Sequence, residues 1–525
     1  MKSKIILIAI TLFILSLAVH YFPIHKKGYS FNPMGGDLTI ARNLALTGEY
    51  KMESEKNVVL SSIRVKEEGI YSNTGNRLNT YIYGWIFKNF GFKQELPLYL
   101  SIFLWAIAGL ILFFVVLKLF NLKTAAVFGL IHAFMPVLSQ GALMGGFYEW
   151  PVLFFSLGIL SYFWPQLSKK KNKKHWFNLI LASVLFALAA LAKNSFVVSF
   201  PSFFIYDFWK NRSLKRASVL ALPFVLIFGG SLIWGYLSGL PSAYLSAEDT
   251  DFSRYGHLYP DPYTYHFEKE EYLQSVAGTD NVGYNWFLEK YGYPVSFKNK
   301  MLRYWHVIKF YPKEIVKLIV SGGPLILLFL IAGLVYLYRK RKSLFAFFLI
   351  WGIVWYALLI SFKSANWDHF LEIGFLITLL TALGATWLIN FILRSFLKER
   401  TKYLIIGIFL LSLIGHFVLA NKWMLHEEYN TSQIALFREM AGTINQNHLD
   451  KQNDVVAIDV HPTFQGLNYY TDISLIYFNP ATIRKLLDQN NLSWAFEQFG
   501  VTKIIGFDDN LTEEIVRQTG IKSLE

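Results

Sequence analysis

The chain has 525 residues, of which 54% are apolar and 16% are charged, whereas an ordinary soluble protein carries roughly 25% charged residues. With a mean hydropathy of +0.35, this composition argues against a soluble single domain and predicts a membrane protein. The net charge of +14 would indicate a nucleic-acid partner in a soluble protein. The absence of cysteine excludes disulfides, thiolate metal sites and a catalytic thiol.

Long apolar runs recur along the chain. A helix needs about 17 to 25 such residues to cross roughly 30 Å of hydrocarbon, and about eleven runs fit or approach that length. The first run has the basic start of a signal peptide but no small-x-small cleavage site, so we predict an uncleaved anchor. The predicted membrane helices cover residues 5–22, 98–117, 125–143, 147–164, 176–192, 196–209, 219–237, 318–338, 344–360, 370–393 and 403–420.

Lysine and arginine cluster in alternate connections between these helices. Cytoplasmic loops of membrane proteins are rich in both residues, so the clusters place the N-terminus in the cytoplasm and, with an odd number of helices, the C-terminus outside. We interpret the basic excess as an orientation signal and not as a nucleic-acid site, and we expect the bacterial plasma membrane as the location. The clusters lie at residues 2–4, 118–123, 169–174, 210–216, 339–342 and 394–402.

This topology divides the chain into membrane and external regions. The tail alternates helical and strand patterns, which predicts a small extracytoplasmic α/β domain with strands at 454–460, 474–478 and 502–507. The six regions are the first membrane helix (1–22), a first external loop with interfacial helices (23–97), membrane helices two to seven (98–237), a long external loop that is a candidate lid (238–317), membrane helices eight to eleven (318–420) and the external tail (421–525).

The first external loop begins with a short amphipathic pattern. Apolar side chains recur at helical spacing until Gly48, which predicts a helix lying in the membrane interface with Asp37 at its start. An aspartate after two glycines is typical of an N-cap, which accepts hydrogen bonds from the first helical turn. The same placement suits a general base that takes a proton from an incoming hydroxyl, and the two roles are compatible.

More charged residues lie at the external ends of predicted helices. Glu149 precedes Pro151 and faces the same aqueous side as Asp37, so it either responds to the positive helix end or belongs to a paired-carboxylate site. Lys193 lies in a tight external turn, against the positive-inside bias, and either reaches lipid headgroups or binds a phosphate. The charged cluster at 363–372 either is merely solvated or contributes to a site.

Several kinds of active site are missing from the sequence. His132 and His416 are the conspicuous titratable residues well inside predicted membrane helices, whereas proton-coupled transporters usually need a buried charged relay. No Gly-x-x-x-x-Gly-Lys loop, His-Glu-x-x-His pair or Gly-x-Ser-x-Gly elbow occurs. Nucleotide hydrolysis and metalloproteolysis are therefore unsupported. A transporter or flippase of lipid-linked saccharides and a non-catalytic envelope assembly protein remain as alternatives to an enzyme.

Five motifs follow one another along the chain. They are Asp37 with Ala41-Arg42-Asn43-Leu44 and Gly48-Glu49-Tyr50, Asn79-Thr80-Tyr81-Ile82-Tyr83-Gly84, Glu149 before an apolar run, Leu191-Ala192-Lys193, and Trp367-Asp368-His369-Phe370-Leu371. Over residues 1 to about 420, this order resembles the GT-C family of polytopic membrane glycosyltransferases, which includes protein O-mannosyltransferases and the lipid A aminoarabinose transferase. The chain departs from many members in having Leu38 where they have glutamate, and Trp367-Asp368-His369 where they have Arg-Tyr.

The resemblance implies a polytopic α-helical GT-C-like fold and transfer of a sugar from a polyprenyl-phosphate donor to a saccharide, lipid or protein acceptor outside the membrane, with inversion. Asp37 and Glu149 would then be the catalytic residues, while Lys193 and His369 would bind the donor phosphate. Membrane helices would hold the prenyl chain. Some members use a divalent cation, and no ligand spacing here decides for or against one. The predicted substrate-binding residues are Arg42, Tyr148, Asn194, Arg303 and Asp368.

Overall fold

The computed structural model describes a mostly helical chain. The structure describes residues 2–27, 36–48, 77–93, 95–143, 145–167, 174–237, 324–361, 371–395, 398–428, 431–450, 453–459, 467, 471, 473–478, 480–488 and 490–524. The helices are α1 (Lys2–Lys27), α2 (Gly36–Thr47), α3 (Arg77–Phe90), α4 (Leu96–Leu119), α5 (Leu122–Phe134), α6 (Pro136–Leu143), α7 (Glu149–Leu167), α8 (Lys174–Ala192), a 3₁₀ helix (Asn194–Ser199), α9 (Phe200–Asn211), α10 (Leu214–Phe224), a π turn (Val225–Gly229), α11 (Gly230–Leu237), α12 (Pro324–Lys340), α13 (Lys342–Ser361), α14 (Leu371–Arg394), α15 (Glu399–Glu428) and α16 (Thr431–Gln446).

Part of the predicted membrane topology is visible in these helices. Among the described residues, four stretches are long and apolar enough to cross a membrane, namely Ser3–Tyr21, Leu96–Leu119, Leu214–Trp234 and Leu371–Arg394. Shorter apolar helices lie at Leu122–Phe134, Trp176–Ala192 and Lys342–Ala357. The described residues therefore contain four candidate membrane helices, while the count of about eleven membrane helices stays a prediction.

The predicted membrane helix at 125–143 is divided in two. Helix α5 ends at Phe134, and Met135 has an extended backbone with φ −61° and ψ 119° before Pro136 begins α6. Proline disfavours the helical conformation of the residue that precedes it, so the chain changes direction here. Helix α6 is therefore a separate short element, and it leads toward residues 145–149.

Helices α12 and α14 touch through their backbones. A Cβ atom built on Gly333 would lie 2.0 Å from the carbonyl oxygen of Leu380, and one built on Gly384 would lie 2.0 Å from the carbonyl oxygen of Phe329. Any side chain at either glycine would push the two helices apart. Helix α14 is accordingly buried along most of its length, inside the main apolar core of the molecule.

A buried ion pair joins α9 to α10. The Nε atom of Arg216 donates to both carboxylate oxygens of Asp207, at 2.9 and 2.7 Å, and the hydroxyl of Tyr162 donates to the same carboxylate at 3.2 Å. Asn211 adds an amide donor at 3.2 Å. The pair holds the α9–α10 turn, where Arg212 has a left-handed backbone with φ 48°. Asp207 was not identified as a candidate from the sequence.

The tail residues form a small α/β unit. Strands β1 (Val455–Ile458), β2 (Ser474–Tyr477), β3 (Lys503–Ile505) and β4 (Lys522–Ser523) lie in the order β2-β1-β3-β4, with parallel pairing throughout. One face of the sheet packs against α16, and the other packs against three later helices. These are α17 (Pro480–Asp488), α18 (Leu492–Phe499) and α19 (Asp509–Thr519).

Candidate active site

Three of the predicted site residues, Tyr148, Glu149 and Lys193, lie in or against a turn of five residues, Gly145 to Glu149, which we call the 145–149 turn. A Cβ atom on Gly145 would lie 2.6 Å from the Cα atom of Leu98 in α4. Gly146 has φ +90°, and a Cβ atom there would lie 2.4 Å from Leu38 Cδ1 in α2. Only glycine fits both positions, so the turn lies wedged between α2 and α4. Leu38 directly follows Asp37, so the start of α2 lies against this turn.

Helix α3 also supports the turn. It packs closely on α2, because Gly84 leaves room for Leu44, whose Cδ2 atom would lie 2.8 Å from a Cβ atom at that glycine. From the buried face of α3, the amide of Asn79 donates to the Gly146 carbonyl oxygen, and the hydroxyl of Tyr83 donates to Glu149 Oε1. The motif at residues 79–84 thus serves to hold the 145–149 turn.

The Glu149 carboxylate is enclosed by the turn that it ends. Its exposed fraction is 0%. The backbone N–H of Gly146 donates to Oε1 at 3.1 Å, and those of Phe147 and Tyr148 donate to Oε2 at 3.1 Å each. Together with the Tyr83 hydroxyl, four donors surround the carboxylate, and the positive end of α7 favours its charge. In this geometry Glu149 fixes the shape of the turn, and the catalytic role that the resemblance implies for it stays a prediction.

Lys193 lies on the other side of the same turn. It sits between α8 and the 3₁₀ helix, and 8% of its surface is exposed. Its Nζ atom is 3.4 Å from the centre of the Phe147 ring and 4.9 Å from that of the fully buried Tyr148 ring. Both distances are within the range of cation–π attraction. The backbone N–H groups of the turn therefore bind the Glu149 carboxylate, while its aromatic rings contact the Lys193 ammonium.

The fold that carries this turn has counterparts of known structure, although no protein-family model matches the sequence and no curated protein matches it. Similar solved structures include the apo oligosaccharyltransferase of Archaeoglobus fulgidus (TM-score 0.56, 11% identity, covering 95% of this chain and 69% of that chain). Another is ArnT from Cupriavidus metallidurans bound to undecaprenyl phosphate (TM-score 0.52, 10% identity, 99% and 89% covered). This chain therefore shares the fold of these two proteins, which are GT-C membrane glycosyltransferases.

The GT-C fold agrees with the resemblance seen in the sequence motifs. A further similar structure is the archaeal AglB from Archaeoglobus fulgidus in complex with an inhibitory peptide and a dolichol-phosphate (TM-score 0.55, 11% identity, covering 95% of this chain and 69% of that chain). The apolar helices of this chain and the GT-C fold together make it an integral membrane protein.

Arg42 occupies an unexpected place in this GT-C fold. Its exposed fraction is 4%. Its Nε and Nη2 atoms each donate to Asn43 Oδ1 at 3.3 Å, and Nη1 donates to the backbone carbonyl oxygen of Thr471 at 3.1 Å. The predicted substrate-binding residue thus reaches the tail, 429 residues further along the chain. Nothing in the sequence pairs these two positions.

The remaining predicted site residues are placed in part. Asp37 lies in the first turn of α2 and Asn194 begins the 3₁₀ helix, but the side chains of both lie outside the described residues. Arg303 and the candidate lid at 238–317, and Asp368 and His369, also lie outside them. The structure therefore brings Lys193, Tyr148 and Glu149 together with the start of α2. Sequence reasoning missed the roles of Asn79, Tyr83 and Phe147, although it noted the motif that contains the first two.

Proposed function

We propose that this chain is a membrane glycosyltransferase that moves a sugar from a polyprenyl-phosphate donor to a hydroxyl of a saccharide, lipid or protein acceptor on the extracytoplasmic face. The observation that carries the proposal is the 145–149 turn of a GT-C fold, which joins the helix start bearing Asp37 to a nearly buried lysine. Undecaprenyl phosphate and dolichol-phosphate in two similar structures support a lipid-phosphate donor.

The proposed reaction is a single displacement. Asp37 takes the proton from the acceptor hydroxyl as its oxygen attacks the anomeric carbon. The bond between that carbon and the phosphate oxygen breaks, its electron pair stays on the phosphate, and the sugar is inverted. Lys193 and His369 stabilise the departing phosphate by charge-assisted hydrogen bonds. Tyr148, Asn194, Arg303 and Asp368 would complete the substrate site, with Tyr148 acting through its position beneath Lys193.

Glu149 takes a positioning role in this proposal. Its four hydrogen bonds hold the backbone of residues 146–148 in one conformation. The rings of Phe147 and Tyr148 are thereby fixed, and they hold the Lys193 ammonium where the donor phosphate would arrive.

A divalent cation is not part of the proposed steps. The described residues contain no group of three His, Asp or Glu side chains placed to hold a metal ion. The Glu149 oxygens, which would be the nearest candidates, already accept hydrogen bonds from three backbone N–H groups and a tyrosine. No step is therefore assigned to a metal ion.

The test is sugar transfer by the purified protein. Labelled polyprenyl-phosphate sugars are supplied with candidate acceptors, and the wild type is compared with Lys193→Ala. Lys88→Ala is the matched control, because Lys88 is exposed on α3. We expect transfer by the wild type and the control, and a fall of about 10²-fold or more for Lys193→Ala, the size of effect seen when one transition-state donor is removed.

Two results would contradict the proposal. One is the absence of transfer from every lipid-phosphate sugar, together with movement of lipid-linked saccharides across vesicles that contain the protein. That result would make the chain a transporter. The other is an equal rate for Lys193→Ala and Lys88→Ala, which would remove the lysine from the donor site.

A further inference from the structure

The tail shares an apolar core with the helices of the proposed active site. This core is continuous from α2, α3 and the start of α4 to α16 and to one face of the tail sheet. Such a core forms only when the tail rests on these helices. Its buried members are Leu38, Ala41, Tyr83, Ile86, Phe87, Leu98, Ile102, Met440, Ala441, Ile444, Val456, Ile458, Leu467, Ile473, Leu475, Ile505 and Leu524.

Arg42 forms a hydrogen bond between α2 and the tail. Its Nη1 atom donates to the Thr471 carbonyl oxygen at 3.1 Å, while Asn43 accepts from the two other nitrogens at 3.3 Å each. Asn43 is fully buried, so it fixes the plane of the guanidinium. A planar group held on two sides accepts little rotation. The hydrogen bond therefore joins α2 to the tail at a defined point of the helix.

The acceptor on the tail is equally constrained. The exposed fraction of Thr471 is 2%, and its N–H and its hydroxyl donate to the Leu467 carbonyl oxygen at 3.0 and 3.2 Å. Leu467 is itself fully buried in the shared core. The carbonyl that Arg42 contacts thus belongs to a buried residue that is itself bonded to the shared core, so we expect a displacement of the tail to be passed on to α2.

We propose that the tail is a clamp on α2, with Arg42 as its positioning residue. Asp37 lies in the first turn of the same helix, so the docked tail sets the distance between Asp37 and the 145–149 turn. The catalytic consequence rests on the function proposed above, whereas the docking itself does not. A displacement of about 1 Å in a reacting group costs up to about 10²-fold in rate, so undocking lowers kcat without changing how the donor binds.

The absence of cysteine allows a direct test on the full-length protein. The substitutions Leu46→Cys and Glu513→Cys provide two sites for spin labels, which report the distance between α2 and the tail. Leu46 is exposed on α2, and Glu513 is exposed on α19. The distance is then compared between the labelled parent and labelled variants that carry Arg42→Ala, Arg42→Lys or Arg484→Ala. Arg484 is the matched control, since its side chain is 67% exposed on α17 of the same tail.

We expect one narrow distance distribution for the parent protein and for Arg484→Ala. Arg42→Ala should broaden it, and Arg42→Lys, which keeps a charged donor, should restore it in part. In transfer assays, Arg42→Ala should lower kcat by about 10-fold to 10²-fold with the donor KM within about twofold. If Arg42→Ala does not fold, Arg42→Gln, which keeps an uncharged N–H donor on a shorter side chain, is measured in the same way.

The proposal is overturned if Arg42→Ala leaves the distance distribution narrow, whatever its rate. A narrow distribution with a raised donor KM would make Arg42 a substrate ligand, and a narrow distribution with an unchanged rate would give it no role. If the wild type transfers no sugar, the proposed function fails, but the distance measurement still decides whether the tail is docked through Arg42.

Discussion

Two fully buried carboxylates in this protein are balanced in different ways. Asp207, between α9 and α10, is paired with the guanidinium of Arg216 and receives further donors from Tyr162 and Asn211. Glu149 receives three backbone N–H groups and the Tyr83 hydroxyl. The first arrangement cancels a charge and joins two helices. The second shapes a turn and leaves Lys193 against the aromatic rings on its other side. The difference teaches that the partner of a buried acid, more than its burial, indicates whether it serves the fold or the site.

The largest expected effect is on the Asp207 pair. Asp207→Ala leaves Arg216 buried without its counterion, which typically costs about 3 to 5 kcal/mol of stability. The melting temperature of the Asp207→Ala protein in detergent should fall steeply. Lys215→Ala, at an exposed position on α10, should leave the melting temperature unchanged. The folded fraction of the Asp207 variant should keep the donor KM of the wild type. A normal melting temperature would contradict the structural role of the pair.

Glu149→Gln should affect the site more than the fold. The amide places N–H donors where backbone N–H groups already point, and an unsatisfied buried group costs about 1 to 3 kcal/mol. We expect kcat for sugar transfer to fall roughly tenfold, with a smaller fall for Tyr83→Phe, which removes one of the four donors. Wild-type kcat in Glu149→Gln would show that the turn does not depend on the carboxylate, and the contrast with Asp207 would then disappear.

A smaller effect is expected when the ring beneath Lys193 is removed. Phe147→Ala deletes the contact at 3.4 Å, and such cation–π pairs contribute about 0.5 to 2 kcal/mol. The donor KM should rise by a few-fold to about tenfold while Phe147→Tyr, which keeps an aromatic face, stays near the wild type. An unchanged donor KM in Phe147→Ala would separate Lys193 from the donor phosphate.

The smallest effect concerns a third carboxylate, Asp459, at the end of β1. Burial, with the nearby Asp508 charge, raises its pKa from 3.8 to about 6. The folded tail therefore holds this proton more tightly than the unfolded chain does, so its contribution to stability falls as pH rises from about 4 to about 6. Asp459→Asn should flatten this dependence and stabilise the tail at pH 7, as judged by its resistance to proteolysis in the full chain. The exposed Asp488→Asn is the control. Equal pH dependence in both variants would exclude Asp459 as the cause.

The sequence predicts the local elements of the site well. Helical spacing and the Gly-Gly-Asp start place Asp37 in the first turn of α2, and Pro151 places Glu149 at the start of α7. The predicted tail strands also contain β1, β2 and β3. These features depend on neighbouring residues alone. The proline at position 136 carried the same kind of signal, and its effect in dividing the predicted helix at 125–143 was missed.

The sequence does not predict the contacts between elements. The burial of Glu149 depends on α3, which lies 66 residues away at Tyr83, and the Arg42 contact spans 429 residues. A single sequence contains no pattern that pairs such distant positions. The Asp207–Arg216 pair is different, because its members are nine residues apart and an acid within an apolar run is a visible signal.

The most direct test of the account is the rate of sugar transfer in a single turnover by Asp37→Asn and by the wild type, with saturating lipid-phosphate donor. Asparagine keeps the shape of the side chain, but it cannot accept the proton. The account predicts a loss of about 10²-fold to 10⁴-fold, the usual contribution of a general base, with donor binding unchanged. A rate equal to that of the wild type would contradict the assignment of Asp37 and the proposed mechanism with it.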